Sequence, residues 1–328
     1  MLIPPKYRLT PKISELLSSI EASREVIKSI NIPPEIEINL RRQSTLKSSL
    51  FSARIEGNTL SMNELNNLSS SDRKKVEVSN ILKAINWVYD KKSKKISSNV
   101  ILTLHKITMN KLIDYENLGK YRNNMEAIFN SAGIVIYMPP PPRLVVSLIE
   151  KLIKYIEKPK ENFIPIRAVL THYSFEKIHP FLDGSGRVGR LLMQEVLNSN
   201  GYGMKGLLNI EEYLDNHRSE YYRMIEEPEK DTTDYVEFML EAISQTANEA
   251  KKIIITKQKY DSYELLLPRR AEILKIIREH KIINLDQIKR RFSKVNERTL
   301  RYDVKKLTDQ KLIKKLGTTK GVYYTVLQ

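Results

Sequence analysis

The sequence contains no cysteine, and this absence excludes several kinds of site. Disulfide bonds, iron–sulfur clusters and zinc sites with thiolate ligands all require cysteine. A chain without cysteine is typical of a reducing compartment, so we expect a cytoplasmic protein. The five histidines include no pair at the H-x-x-x-H spacing, which places two metal ligands on one helix face.

Long apolar segments and glycines are also scarce. No apolar run approaches the ~18–20 residues that a membrane span requires, and the first residues lack the apolar core of a signal peptide. Eleven glycines in 328 residues are too few for a turn-rich all-β protein. With 41% hydrophobic and 29% charged residues, the composition is that of a globular chain of two or three domains, with no membrane partner.

The periodicity of the apolar residues predicts a mainly α protein. Apolar positions recur at three- and four-residue spacing in segments 13–20, 81–88 and 145–156. The one plausible strand pair in this part of the chain covers 127–129 and 133–138, with its turn at 130–133 and prolines from 139 onward. A hairpin without further strands is expected to be a flap on a helical body.

The positive charge is concentrated near the C-terminus. Residues 268–328 contain 17 Lys+Arg and 6 Asp+Glu, which is +11 of the total +16. A long helical pattern over 236–259 precedes this segment, so we place a domain boundary near residues 267 and 268. A small basic module on a nearly neutral body is typical of proteins that contact nucleic acid.

The most informative stretch is 179–190, which reads HPFLDGSGRVGR. Segment 166–178 before it and segment 191–197 after it both have helical spacing. Because Pro180 cannot continue a helix, His179 should stand at an abrupt turn. The glycines then begin the second helix, where free backbone N–H groups and the helix dipole favour an anion.

The side chains of this stretch are those of a site for nucleotide phosphates. Arg187 and Arg190 are three residues apart, so both should project from one face of the first turn toward the same anion. Asp183 lies beside it and can hold Mg²⁺ that bridges phosphate oxygens. His179 is placed to act as a general base.

The glycines of this stretch allow two other interpretations. Residues 184–189 match G-x-G-x-x-G, with Glu211 near the position of a ribose-binding acid. That dinucleotide fingerprint requires a strand directly before the first glycine, whereas this sequence has a helix followed by His-Pro, so we disfavour it. A plain glycine turn between two packed helices is the remaining alternative.

The stretch resembles the signature of the Fic (filamentation induced by cAMP) family, H-P-F-x-[D/E]-G-N-G-R-x-x-R, at every fixed position but one. Ser185 stands where the family usually has Asn, and it lacks the amide donor, so a different nucleotide donor stays open. The resemblance implies a Fic-type helical bundle with a β-hairpin flap. It also implies transfer of AMP from ATP to a hydroxyl side chain (Tyr, Thr or Ser) of a target protein, with Mg²⁺ or Mn²⁺.

The resemblance assigns roles residue by residue. His179 would deprotonate the target hydroxyl, Asp183 would bind the metal ion, and Arg190 would bind the γ-phosphate. The residues that bind ATP phosphates would be Gly184, Ser185, Gly186, Arg187 and Arg190; the flap would include Tyr137 and Met138; and the adenine pocket would include Tyr221 and Tyr222, in a pattern with Asn216 and Arg218. Segment 118–122 resembles the family's G-x-[FY]-R segment. Ordinary helix packing is the alternative for the tyrosine pair, and we expect structural roles for His105 and His172.

Segment 52–57 resembles the inhibitory motif of the family, [S/T]-x-x-x-E-[G/N], through Ser52, Glu56 and Gly57. Residues 40–55 read as a helix, Gly57 is a natural C-terminal cap, and a capping box at 61–64 begins the next helix. Glu56 would thus lie at a helix C-terminus, where the dipole disfavours a carboxylate unless a cation compensates it. Arg190 would be that cation; a solvated Glu56 is the alternative.

The basic module resembles a winged helix-turn-helix. Three helical patterns are present: the first covers 269–279, the second follows the cap Asn284 and ends at Phe292, and the third runs from 297 to about 309. A strand pair at 312–315 and 322–326 follows them. The expected DNA contacts on the third helix are Arg298, Thr299, Arg301, Tyr302 and Lys305, with Lys315 and Lys320 on the wing. Winged helices also dock proteins, which is the alternative.

These observations lead to one functional hypothesis and two alternatives. We predict an N-terminal helical region over 1–95 with an inhibitory helix at about 40–57, a Fic catalytic core over 96–260 and a winged helix over 268–328. The protein would be an adenylyltransferase that releases diphosphate and is autoinhibited by Glu56. The alternatives are a DNA-binding transcriptional regulator with a nucleotide-sensing core and a transferase with another donor. Expected partners are ATP, a target protein and duplex DNA through 268–328; a homodimer stays open.

Overall fold

The computed structural model describes the chain except for residues 65–68, 70, 91–94, 130–134, 158–160, 227, 260–267, 293–294, 318–320 and 328. The described residues form two compact units. Unit 1 consists of Met1–Ile30 and Asn39–Ile253, and unit 2 consists of Asn31–Ile38 and Ile254–Gln328. None of the described helices is both long and apolar enough to cross a membrane.

Helices make up most of the first 259 residues. In chain order they are α1 (Pro11–Ser29), α2 (Pro34–Ile55), α3 (Arg73–Asp90), α4 (Ser98–Thr108), α5 (Pro142–Glu157), α6 (Ile164–Ile178), α7 (Ser185–Ser199), α8 (Ile210–Asn216), α9 (Arg218–Ile225) and α10 (Thr233–Lys259). The predicted mainly α class is confirmed. The helix predicted to begin near residue 40 begins six residues earlier, because Pro34 occupies its first position, where a proline is well tolerated.

Helix α6 is the centre of unit 1. Every residue from Pro165 to Ile178 is buried, and the helix packs against α5, α7 and α9. Its apolar residues are spread around the whole helix, as expected for a helix enclosed on all sides. Helix α7 is also buried from Arg187 to Leu197 and packs against α3 and α4. The two central helices therefore hold both ends of the connection at 179–184, in which Pro180, Phe181 and Gly184 are buried and Asp183 is exposed.

The predicted hairpin is confirmed as two short antiparallel strands, β1 (Ile128–Phe129) and β2 (Val135–Tyr137). Ile128 pairs with Tyr137, and Phe129 pairs with Val135. The turn predicted at 130–133 lies outside the described residues. Among the described residues of the hairpin, Tyr137 is attached to the core, because its hydroxyl donates to the carbonyl of Lys177 at 2.8 Å.

The capping box predicted at 61–64 is present as hydrogen bonds. The Ser61 N–H donates to Glu64 Oε2 at 3.0 Å, and the Glu64 N–H donates to Ser61 Oγ at 3.4 Å. Most of the residues of the helix that this box was predicted to begin lie outside the described residues.

Unit 2 contains three helices and a three-stranded antiparallel sheet. The elements are α11 (Pro268–His280), β3 (Ile283–Asn284), α12 (Leu285–Arg291), α13 (Glu297–Asp309), β4 (Ile313–Leu316) and β5 (Tyr323–Val326), with sheet order β3-β5-β4. Asn284 forms a capping box with Gln287, and Asn296 caps α13, so both predicted helix starts are confirmed. The strand β3 was not predicted, because two residues are too few to show an alternating pattern.

The core of unit 2 is formed by aliphatic residues from all of its helices. Its buried members are Ile273, Leu274, Ile276, Ile277, Ile283, Ile288, Leu300, Val304, Leu307, Leu312 and Ile313. One ion-pair cluster joins this core to the surface: Asp303 accepts from Arg269 at 2.5 Å and from Arg270 at 2.9 Å, and Arg270 also binds Glu35 at 2.8 Å.

Candidate active site

His179 caps the C-terminus of α6 in a left-handed conformation, with φ 47° and ψ 64°. A non-glycine residue rarely adopts this conformation unless its surroundings hold it there. Arg122 provides that support, because its Nε donates to the His179 carbonyl at 2.7 Å and its Nη2 to the Pro140 carbonyl at 2.5 Å. The predicted abrupt turn is confirmed, and Arg122 fixes it from a distant part of the sequence.

The imidazole of His179 has the protonation state that a general base needs. Burial lowers its pKa from 6.5, although the Glu56 carboxylate opposes this shift. The ring is therefore neutral at pH 7 and can accept a proton. Its Nδ1 has no hydrogen-bond partner among the described residues.

Two glycines at the start of α7 lie close to neighbouring side chains, and the first of them also needs a left-handed backbone. Gly184 has φ 87°, and a Cβ there would lie 2.6 Å from the sulfur of Met109. A Cβ on Gly186 would lie 2.5 Å from Glu56 Oε1. The backbone therefore passes close to its neighbours here, and the first turn of α7, whose N–H groups have no partner within the helix, begins at Ser185.

Ser185 has its side chain turned into the protein. Its Oγ accepts from the Phe181 N–H at 3.1 Å and donates to the Phe181 carbonyl at 3.2 Å. The hydroxyl thus closes the loop in the conformation seen here. A phosphate contact through Ser185 stays a prediction, as do those of Gly184 and Gly186.

Arg190 is buried and contacts both polar residues of the predicted inhibitory motif. Its Nε donates to Ser52 Oγ at 3.1 Å, and its Nη2 donates to the Ser52 carbonyl at 3.0 Å and to Glu56 Oε1 at 2.8 Å. Burial opposes the charge of Arg190, but Glu56, together with Tyr221 and Glu176, outweighs burial and raises the pKa of the guanidinium. The predicted juxtaposition of Glu56 and Arg190 is therefore present in the structure.

Glu56 follows the last residue of α2 and is ionised. Burial alone would raise its pKa, but the charges of Arg190 and Arg187 and the hydrogen bond from Arg190 lower it below 4.5. Gly57 has φ 94°, the left-handed conformation that commonly ends a helix. A solvated carboxylate was the alternative, but the Glu56 side chain is only 25% exposed and paired with Arg190.

Arg187 does not share its contacts with Arg190. Its Nη1 donates to Glu77 Oε1 on α3 at 2.5 Å, and its Nη2 donates to Asp183 Oδ1. We expected both arginines to point at one anion. In this conformation Arg187 is instead bound by the carboxylates of Glu77 and Asp183. Its predicted phosphate contact stays a prediction.

Asp183 has the exposure that a metal ligand requires. Its side chain is 47% exposed, and its backbone carbonyl is held by His105 at 3.0 Å. No group of three or more His, Asp or Glu residues within the described part of the chain forms a metal site. One carboxylate still fits Mg²⁺, which commonly uses one or two protein carboxylates together with waters and substrate phosphates.

Comparison with known proteins agrees with this geometry. Residues 95–197 match the model of the Fic/DOC family. This segment is a Fic domain. Over 180 residues the chain is 30% identical to a probable protein adenylyltransferase of Aquifex aeolicus, covering 52% of this chain and 53% of that protein. It is 25% identical to the protein adenylyltransferase Fic of Drosophila mojavensis, covering 70% of this chain and 46% of that protein. The chain thus spans about half the length of these relatives.

Solved structures share the fold. A Fic family protein from Desulfovibrio desulfuricans G20 superposes with a TM-score of 0.69 at 24% identity and covers 98% of both chains. Fic-1 from C. elegans superposes with a TM-score of 0.61 at 18% identity over 75% of this chain and 73% of that chain. The arrangement of α6, the 179–184 connection and α7 therefore belongs to a known Fic fold.

Two histidines near the Fic signature have the structural roles expected of them. His105 Nδ1 accepts from the Gly119 N–H at 2.9 Å, so its Nε2–H is the donor to the Asp183 carbonyl. Burial lowers the pKa of His105 to about 4, which agrees with a neutral ring. His172 binds the Tyr221 hydroxyl through Nε2 at 2.8 Å.

The predicted adenine-pocket tyrosines lie C-terminal to the matched Fic residues, and the two differ. Tyr221 is buried against His172, whereas Tyr222 is 42% exposed and donates to the Ile55 carbonyl at 3.2 Å. Tyr222 thus contacts the end of α2 beside Glu56. Arg218 from the same motif donates to the Arg54 carbonyl at 2.6 Å, and Asn216 ends α8. A role for the pair in adenine binding stays a prediction.

Most of the residues predicted to bind the target in the flap, or to bind DNA on α13 and the wing, are exposed. Met138, directly after β2, is exposed, while Tyr137 is partly buried. On α13, Arg298, Arg301, Tyr302 and Lys305 are exposed and Thr299 is partly exposed; Lys315 on β4 is also exposed. Lys320 lies outside the described residues. Their binding roles stay predictions.

Three residues that contact the site residues were not predicted from the sequence to belong to the site. Glu77 binds Arg187, Met109 packs against Gly184, and Arg122 holds the carbonyl of His179. Arg122 belongs to segment 118–122, which resembles a family motif, but the sequence does not indicate its contact with the His179 carbonyl. Nothing in the spacing of Glu77 or Met109 along the sequence could have indicated these contacts.

Proposed function

We propose that the protein transfers AMP from ATP to a hydroxyl side chain of a target protein and releases diphosphate. The observation that carries this proposal is a neutral His179 at the end of α6, followed by a glycine turn that contains Asp183 and begins α7, with the buried Arg190 in the second turn of α7. The two relatives named above are a probable and a named protein adenylyltransferase, which supports the same chemistry.

Each residue of the site would have its own role in this reaction. His179 accepts the proton of the target hydroxyl, whose oxygen attacks the α-phosphorus while the bond to the β-phosphate oxygen breaks. The N–H groups of residues 184–186 bind phosphate oxygens, and Asp183 would hold Mg²⁺ or Mn²⁺, which neutralises phosphate charge. Arg190 binds the γ-phosphate, and the bound nucleotide is thereby oriented for in-line attack.

The Glu56–Arg190 pair supports autoinhibition in the same chain. Arg190 already has partners at Nε and Nη2 in Ser52 and Glu56, so a γ-phosphate must compete with a carboxylate for the same guanidinium. ATP would then bind with its γ-phosphate displaced and its α-phosphate misaligned. We propose that this competition keeps the basal rate low.

The decisive experiment is labelling with radioactive ATP. Wild-type protein, Glu56→Gly and Glu56→Gly/His179→Ala are incubated with a lysate and ATP labelled either at the α- or at the γ-phosphate. Adenylylation predicts that the label in protein that depends on His179 comes from the α-position only, and that Glu56→Gly gives more of it. His179-dependent label from the γ-position, or undiminished α-label without His179, contradicts the proposal. A parallel incubation uses α-labelled GTP, CTP or UTP, and label only from one of these nucleotides would favour a related transferase with another donor.

A second function is proposed for unit 2, which we infer is a winged helix that binds duplex DNA. The supporting observation is the exposed row on α13 that contains Arg298, Arg301 and Lys305, in a segment with 17 basic and 6 acidic residues. Helix–strand–helix–helix–strand–strand is the element order expected of a winged helix. Protein docking through the same surface is the competing function.

A further inference from the structure

Glu77 lies on α3, outside every motif that resembles the Fic signature, yet its carboxylate contacts two parts of the site. Oε1 accepts from Nη1 of Arg187 at 2.5 Å. Oε2 accepts from Nδ2 of Asn58 at 2.9 Å. The side chains of Glu77 and Arg187 are 15% and 7% exposed, so solvent screens their interaction less than at an open surface.

Arg187 in turn stands between two carboxylates. Its Nη1 binds Glu77 and its Nη2 binds Asp183, while its Nε has no partner among the described residues. The three side chains form a row with charges −1, +1 and −1. The row is therefore net negative, and its exposed end is the carboxylate of Asp183.

We propose that Glu77 is a positioning residue that keeps Asp183 fit to bind a divalent cation; this inference rests on the proposed function. Arg187 fixes the orientation of the Asp183 carboxylate, but its positive charge alone would also cancel the negative charge that attracts the cation. Glu77 offsets that positive charge. Without Glu77 the row would carry no net charge, so the electrostatic attraction of the cation to this end of the nucleotide site would be weaker.

Asn58 holds Glu77 in the position that this role requires. Its Nδ2 donates to Glu77 Oε2 and also to the carbonyl of Lys74 at 3.0 Å, while its Oδ1 accepts from the Leu60 N–H at 2.9 Å. Asn58 comes two residues after Glu56, so the end of α2 is tied to α3 here. Asn58→Ala removes the hydrogen bond that positions Glu77 but leaves all three charges of the row. This variant therefore separates the effect of the position of Glu77 from the effect of its charge.

The test measures ATP binding by the full-length protein and needs no target protein. In the Glu56→Gly background, calorimetry gives the Kd of ATP with Mg²⁺ and with EDTA. The expected result is that Glu77→Gln reduces the tightening by Mg²⁺ about tenfold, which corresponds to about 1.4 kcal/mol of lost electrostatic attraction, and changes the Kd in EDTA little. Glu77→Asp, which keeps the charge, should retain more of the tightening than the isosteric Gln variant.

Three further variants test whether the Mg²⁺ effect depends on the row of Glu77, Arg187 and Asp183. Glu212→Gln, which breaks an ion pair with Lys47 elsewhere in unit 1, should leave the Mg²⁺ effect unchanged. Asp183→Asn should abolish the effect, and adding Glu77→Gln to it should then change nothing further. Asn58→Ala should give a smaller loss than Glu77→Gln.

Several results would overturn the inference. One is equal tightening by Mg²⁺ in Glu77→Gln and its parent; another is equal weakening of ATP binding in Mg²⁺ and in EDTA, which indicates a merely structural role. If the parent binds ATP and Mg²⁺ has no effect, the inference fails while nucleotide binding stands. If the parent binds no ATP at all, the proposed function fails as well.

Discussion

Arg190 donates from Nη2 to Glu56 Oε1 at 2.8 Å, and this bond joins the end of α2 to the first turns of α7. The same guanidinium also binds Ser52 through Nε, so two residues of one helical turn hold it. Because Arg190 is buried, its charge needs a partner inside the protein. In the proposed reaction cycle Glu56 supplies that partner until a γ-phosphate replaces it.

Replacing Glu56 with Gly should raise AMP transfer at least ~10²-fold, because a misplacement of reacting atoms by about 1 Å costs that much and the variant removes its cause. Arg190→Ala should be inactive with or without Glu56, since the γ-phosphate then has no anchor. The measurement is AMP incorporation by wild type, both single variants and the double variant. An Arg190→Ala protein as fast as Glu56→Gly would refute the role of Arg190.

The acid limb of the pH–rate profile should lie below about pH 6.5. Burial lowers the pKa of His179 from 6.5, so the neutral base is already present at that pH. In Glu56→Gly the limb should move further to low pH, since the Glu56 carboxylate raises this pKa. Single-turnover AMP transfer between about pH 5 and 8 checks both statements. A limb that moves upward in Glu56→Gly would contradict this assignment.

His179→Ala should lower AMP transfer by about 10²–10⁴-fold, the usual contribution of a general base, and leave ATP binding nearly unchanged. The paired measurements are the transfer rate and the Kd of ATP, both in the Glu56→Gly background. An equal loss of binding and transfer would indicate that His179 supports the fold of the loop instead of accepting the proton.

Glu176→Gln should stabilise unit 1 by an amount that grows with pH. Burial raises the pKa of Glu176 from 4.5 to about 8, so the folded state keeps its proton where the unfolded chain has lost it. The wild type therefore loses stability as pH rises through this window, by about 1.4 kcal/mol per pH unit, and the loss levels off above the folded pKa. Gln has no proton to lose. Urea unfolding of both proteins at pH 4, 6 and 8 measures the difference, which should be smallest at pH 4.

Binding of duplex DNA by the full chain should fall steeply with salt. Each phosphate neutralised contributes about −0.9 to the log–log slope, so five contacts would cost roughly 10²–10³-fold between about 50 and 200 mM salt. Arg301→Ala should weaken binding and make the slope shallower by about one contact, whereas Lys151→Ala on α5 should change neither. Binding that is absent or independent of salt would favour protein docking by unit 2.

Local features of this protein follow from the sequence alone. Pro180 ends α6, the glycines begin α7, and Asn284 and Asn296 cap their helices, because each of these effects depends on neighbouring residues only. The mainly α class follows from periodicity for the same reason. Strand β3 and the first residues of α2 were not predicted from the sequence. A two-residue strand and a first helical turn that begins with proline are too short to show a periodic pattern of apolar residues.

The partners of the site residues were decided by the tertiary structure. Glu56 and Arg190 are 134 residues apart, and Glu77 and Arg187 are 110 apart. The pairing of Glu56 with Arg190 was anticipated from a family motif and from the cost of a carboxylate at a helix end. The contacts of Glu77, the inward turn of Ser185 and the hold of Arg122 on His179 had no such signal. Sequence spacing fixes the direction in which a side chain leaves its helix, but which group it meets depends on how α2, α3 and α7 pack together.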